Sequence, residues 1–141
     1  ALLDESHARF GEAILIDCHS MPHEAIDSIC LGRGPRPDIV LGDRFGAAAG
    51  QDVIEQIEAA FASVGLTVTR NAPFAGAYTT QHYGRPSREQ HVVQVEIDRS
   101  LYMNEMTIEP NSDFGAFQDL MTEVISILTA FGAQDVPMVA E

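Results

Sequence analysis

The stretch Ile14-Leu-Ile-Asp-Cys-His-Ser-Met-Pro22 decides how this chain is read. Ala13 to Ile16 are apolar and mostly branched, the composition of a buried strand in an α/β sheet. The polarity then switches at once to Asp17, Cys18, His19 and Ser20, and Pro22 closes the run. Open α/β sheets place ligands beyond the carboxyl ends of their strands, which makes His19 the first candidate for a metal ligand or a proton carrier. The competing reading is that Asp17 and His19 only hydrogen-bond the following loop.

On the amino-terminal side, residues 2–12 read as an amphipathic helix, with Leu3, His7 and Phe10 on one face and Gly11 as its stop. On the other side, Pro22, Gly32, Gly34, Pro35 and Pro37 rule out regular structure at both ends of residues 20–37, leaving room for a helical turn between. His23 and Glu24 follow His19 closely, but Pro22 breaks any helix that would align them, so they are weaker ligand candidates. Asp38–Leu41 is a second strand running into Gly42-Asp-Arg-Phe-Gly46. There Arg44 is either an anion binder or a structural partner of Asp43.

Residues 51–64 form the clearest helix, with Val53, Ile54, Ile57, Phe61 and Val64 in one stripe. Leu66–Arg70 alternates as a strand and ends at Asn71, again a polar residue at a strand terminus. Residues 78–86 are dense in hydrogen-bonding groups and read as a loop over a site, or as an ordinary surface loop. His91–Ile97 is a fourth strand. A carboxylate near the end of a core strand is costly unless it is paired or used, so Glu96 is the leading general-base candidate. Residues 113–131 form a second strong helix, and 132–141 a frayed tail. The expected fold is α/β: a three-layer α/β/α domain over residues 1–141, its mixed sheet of at least four strands covered on its faces by the helices at 51–64 and 113–131.

The bulk composition narrows the function classes. Hydrophobic content of 45% and charged content of 21% fit a globular domain with a real core. A formal charge of −13, with eight basic residues, argues against nucleic acid, because phosphate binding needs clustered Lys and Arg. A small carboxylate is still admissible, since one or two placed arginines hold it. Cys18 and Cys30 are too few for a disulfide scaffold. No run approaches the roughly 20 apolar residues of a membrane span, and no signal-peptide pattern is seen, so the default location is cytoplasmic. The chain opens without a Met and inside a helical pattern, which reads as a piece of something longer.

Five stretches in order carry a resemblance: Leu15–Pro22, Asp38-Ile-Val-Leu-Gly-Asp43, Asn71-Ala-Pro-Phe-Ala-Gly76, Tyr83-Gly-Arg-Pro86 and Gln94-Val-Glu-Ile-Asp-Arg-Ser-Leu-Tyr-Met103. Together they resemble the N-formylglutamate amidohydrolase family. The resemblance implies a zinc-dependent hydrolase related in fold to the zinc carboxypeptidases. It implies cleavage of an N-formyl amino acid, typically N-formylglutamate from histidine breakdown, to formate and the amino acid. His19 would be one of three zinc ligands and Glu96 the base. Arg44, Asn71, Tyr78 and Arg85 are the substrate-binding candidates by position, with Tyr83 a further possible donor. Family members are longer, and the missing amino-terminal part would supply the other two ligands. Two alternatives stand beside this reading. One is a truncated, non-catalytic relative that binds a small anion or a partner chain. The other is an amidase or peptidase for a different acyl amino acid. An incomplete sheet is further expected to leave an open edge and to cause self-association.

Overall fold

The structure is a computed structural model that describes residues 2–27 and 35–131. In chain order the elements are α1 (Leu2–Phe10), β1 (Ala13–Met21), a 3-10 turn (His23–Ile26), β2 (Ile39–Gly42), α2 (Gln51–Ser63), β3 (Val68–Arg70), α3 (Tyr78–Tyr83), β4 (Gln90–Asp98), β5 (Met103–Asn104), β6 (Glu109–Pro110) and α4 (Phe114–Ala130). Short 3-10 turns flank β4 at Pro86–Arg88 and Arg99–Leu101. The four main strands form one mixed sheet in the order β1-β4-β2-β3. β1 runs parallel to β4, β4 antiparallel to β2, and β2 parallel to β3. The small β5–β6 ladder has no counterpart in the sequence reading.

β1 does not stop where its polarity changes. Its register with β4 runs unbroken from Ala13↔Gln90 to Met21↔Asp98, so Asp17, Cys18, His19 and Ser20 lie within the strand. The reason is the period of two: neighbouring paired residues share a face, and alternate ones point oppositely. One face collects Ile14, Ile16, Ile39, Leu41, Val68, Val93, Val95 and Ile97. The other collects Asp17, His19, Gln94, Glu96 and Asp98, with Met21 and Val40 among them.

This asymmetry corrects the expectation of helices on opposite faces. α2 and α4 both pack on the apolar face, where Val53, Ile54, Ile57, Ala60, Phe61 and Val124 complete one core with the strand residues. Two apolar helix stripes gain by meeting one apolar sheet face, and burying them against the polar row would desolvate unpaired groups. The polar face is covered by shorter pieces. Met21, Ile26 and Val40 form a small cluster there with Ala25 and Phe74. The 71–77 segment crosses so close that a Cβ on Gly42 would lie 2.5 Å from the Gly76 nitrogen. Residues 78–83, expected as loop, form α3 instead, anchored by the buried Thr80 whose Oγ1 donates to the Ala77 carbonyl at 2.7 Å. Cys30 and the expected tail lie outside the described residues.

Candidate active site

β4 is the central strand on which the site is built. Gln94, Glu96 and Asp98 occupy three successive positions of its polar face and are 4%, 8% and 3% exposed. Burying three such groups in a row is unfavourable unless each has partners, and each has. Gln94 Oε1 accepts the Ala77 N–H at 2.9 Å, and its Nε2 donates to Glu96 Oε1 at 2.8 Å. The Gln94 amide thus ties the crossing loop to the Glu96 carboxylate. Glu96 Oε2 accepts no hydrogen bond from the described residues. Asp98 accepts the Ser100 N–H at 2.9 Å and meets His23 Nδ1 at 2.7 Å.

His19 pairs directly with Glu96 across the parallel β1–β4 ladder, so both side chains leave the sheet on the same side. Its side chain is 46% exposed, and Nε2 lies 3.1 Å from Asp17 Oδ1. Asp17 Oδ2 is buried without a partner among the described residues. Burial, and then the Asp17 charge, raise the pKa of the neighbouring Cys18 thiol. Beside His19, on the α4 side, is a cavity of about 270 Å³ whose walls include Tyr102, Phe114, Phe117 and Met121. Tyr102 stacks on Phe117 with ring centroids 5.6 Å apart.

The other sequence candidates do not converge on this point. Arg85 sits on the bridge to Gln90, at the opposite end of β4 from Glu96. Six strand residues separate them, about 20 Å of backbone, which an Arg side chain does not span. Its Nη1 instead caps the carbonyls of Gln81 and Gly84 at the end of α3. Asn71 clamps the turn after β2: Oδ1 accepts the N–H groups of Asp43 and Phe45, and Nδ2 donates to Asp43 Oδ1 at 2.7 Å. Both ends of its amide are engaged within the protein, with one of the two Nδ2 hydrogens used. Arg44 is in the left-handed region at φ 55, its N–H bonded to the Ala75 carbonyl at 2.7 Å. Because β2 is antiparallel to β4, Arg44 continues away from the Glu96 level. Tyr78 follows directly on the Ala77 that Gln94 holds, and its ring is 68% exposed and stacked on His82. Tyr83 meets the other side of His82 edge-on.

Among the described residues, the arginines at the Glu96 end are Arg36 and Arg99. Arg99 donates from Nε to Ser20 Oγ at 3.1 Å, with Glu105 3.8 Å from Nη1. Arg36 pairs with Asp27 and donates to the His23 carbonyl. Their relation to His19 depends on the sheet register, which no local pattern encodes.

Among the described residues, one group of three metal-type donors is close enough to share an ion. It consists of Glu12, Glu89 and His91, with ligand atoms within 4.8 Å of one another. It lies at the amino end of β4, far from Glu96. His91 Nδ1 accepts the Gly50 N–H at 3.0 Å, so the neutral ring carries its proton on Nε2. That nitrogen faces Glu12 at 3.3 Å and Glu89 at 3.6 Å. As bonded, the ring offers the two carboxylates a proton rather than a lone pair, and a metal there requires His91 to give up its Gly50 bond.

Comparison with known proteins agrees with this architecture. The family described as N-formylglutamate amidohydrolase matches residues 1–103. The N-formylglutamate deformylase of Pseudomonas putida is 33% identical, over 94% of this chain and 49% of its own length. That of Pseudomonas aeruginosa is 32% identical, over 90% of this chain and 48% of its own. The crystal structure of N-formylglutamate amidohydrolase from Ralstonia eutropha JMP134 superposes with a TM-score of 0.80 at 32% identity, covering 94% of this chain and 48% of that one. The chain therefore spans about half the length of these relatives. With a family match over most of its residues and a shared fold, the chain belongs to the N-formylglutamate amidohydrolase family.

Proposed function

We propose that this chain carries the base-bearing half of a hydrolase that cleaves an N-formyl amino acid, N-formylglutamate in the histidine-degradation role the family resemblance implies, to formate and the free amino acid. The observation that carries the reading is the placement of His19 and the buried Glu96 as direct neighbours on one sheet face. The names of the relatives point to the same substrate.

The donors at this place suit zinc. An imidazole and a carboxylate are ordinary zinc ligands, and the Asp17 Oδ2 buried beside His19 lacks a partner among the described residues. His19 would hold the ion, with Asp17 either orienting the ring or joining it. A catalytic zinc takes three protein ligands, so this reading requires further ligands from outside the described residues. When bound, zinc polarises the formyl oxygen and lowers the pKa of water to about 7.

The protein's own groups do the rest. Glu96 Oε2, left open while Gln94 holds Oε1, takes a proton from the attacking water. The carbon–oxygen bond forms and the carbon–nitrogen bond breaks. Glu96 returns the proton to the leaving nitrogen, so that the balance is one water consumed and formate plus the amino acid released. The exposed Tyr78, next to the Ala77 that Gln94 holds, is the candidate donor to the substrate's oxygen.

The test is formate release from N-formylglutamate with zinc supplied, in a protein as long as the relatives, comparing the wild type with Glu96→Gln. Turnover that falls by at least about 100-fold in the variant, the size of a general-base contribution, supports the reading. Unchanged turnover removes Glu96 from the mechanism. A protein as long as the relatives that neither binds zinc through His19 nor releases formate favours the non-catalytic relative.

A further inference from the structure

We propose that His23, held by the buried Asp98, is a further substrate-contacting residue, its Nε2 accepting the N–H of the scissile formamide. This rests on the functional reading above and deepens it.

The geometry begins at Asp98, whose side chain is 4% exposed, while that of its partner His23 is 47% exposed. His23 Nδ1 lies 2.7 Å from Asp98 Oδ2, and the other oxygen of Asp98 is capped by the Ser100 N–H. An imidazole nitrogen that close to a carboxylate oxygen needs a proton between them. The proton is therefore on Nδ1, and Ser100 Oγ, 3.0 Å away, stands beside the same nitrogen. In the neutral ring this leaves the lone pair on Nε2, on the edge turned away from Asp98. The backbone of His23 is pinned as well. Its N–H donates to Glu105 Oε2 at 3.0 Å, and its carbonyl accepts from Arg36. A half-exposed imidazole fixed at three points is preorganised to present one acceptor in one direction.

Through Asp98, His23 lies at the Glu96 end of the same sheet face. Asp98 is two positions beyond Glu96 on the same strand face, about 6.6 Å along the backbone. Met21, which pairs with Asp98, is two residues before His23. The lone pair calls for a donor, and the Asp98 and Glu105 carboxylates bonded to Nδ1 and the backbone N–H of the same residue disfavour an anion there. It suits the N–H of a secondary formamide, which becomes the N–H of the leaving amine once the carbon–nitrogen bond breaks. It does not suit the carboxylates of the substrate. The enzyme should therefore discriminate between formamides that have an N–H and those that lack one, such as N-formylproline.

Two measurements test this. Long-range proton–nitrogen correlation on the chain itself should show His23 protonated at Nδ1 and bare at Nε2 near pH 8, with the preference lost in Asp98→Asn. A His23 that is protonated at Nε2 overturns the proposal. In the formate assay, His23→Ala should lower kcat/KM for N-formylglutamate about ten-fold, the worth of one hydrogen bond. It should leave N-formylproline unchanged, and His23→Gln should recover part of the loss. Equal effects on both substrates in an active enzyme overturn this proposal alone. The assay is run in a protein as long as the relatives, and a wild type of that length that neither binds nor cleaves the formamide overturns the functional reading and this one with it.

Discussion

At the scale of single residues, the site depends on which neighbours share a strand face. His19 and Glu96 are 77 positions apart in sequence and adjacent in space because β1 and β4 pair in parallel. Cys18, between Asp17 and His19, reports on this environment. Partial burial, and then the Asp17 charge, disfavour its thiolate. A raised pKa makes the nucleophilic form scarcer at any given pH. In a Cys30→Ser background, alkylation of Cys18 should therefore rise with pH on the alkaline side of a free thiol's profile. Asp17→Asn should move that profile back toward lower pH by removing the second cause. A profile identical to that of a free thiol in both proteins would contradict the environment described. His19 and Glu96 were legible because polar residues at the end of an apolar run are conspicuous. The role of Gln94 was not, since a polar residue in mid-strand reads as solvent-facing until the loop that covers it is known.

At the scale of elements, the polar face is assembled by the 71–77 segment lying flat on β2 and β4. Close approach is the condition for it: a side chain at Gly42 would run into the backbone of Ala75 and Gly76, at 2.6 Å and 2.5 Å from their nearest atoms. Neither partner is the tip of a flexible side chain, so the strain has no easy outlet. Gly42→Ala is expected to destabilise the fold by about 1–3 kcal/mol, as overpacking does. It should also loosen the Ala77–Gln94 bond behind Glu96. Urea denaturation gives the first effect, and amide exchange at Ala77 the second. A variant as stable as the wild type, with Ala77 still protected, would mean the loop is not held down as described. Arg85 and Asn71 looked like ligand-binding residues because they end elements beside turn signals. They are instead spent on capping α3 and clamping the β2 turn, the commoner fate of such residues.

At the scale of the whole molecule, β1 is a nine-residue strand on the outside of the sheet. Its outer row of backbone groups has no strand partner among the described residues. The apolar cavity walled by Tyr102, Phe114 and Phe117 adjoins that edge, and Phe114 is 41% exposed. Long uncovered edges pair with whatever strand they meet. The purified chain is therefore expected to self-associate at tens of micromolar, and Cys18→Lys, which places a charge on the edge, should reduce it. Light scattering checks both, and a monomeric wild type would count against the open edge. The described residues include no helix long and apolar enough to cross a membrane.

Local pattern along the chain is enough for the class of elements, the four main strands and both long helices, and it singles out His19 and Glu96 as candidates. Hydrophobic period and abrupt polarity changes are local, and local patterns survive in one dimension. That both long helices share one face, that the Glu12–Glu89–His91 group lies at the far end, and that His23 turns back onto Asp98 is visible in three dimensions alone. Each follows from strand order and register, which are set by contacts between residues up to 77 positions apart and leave no mark on any one stretch.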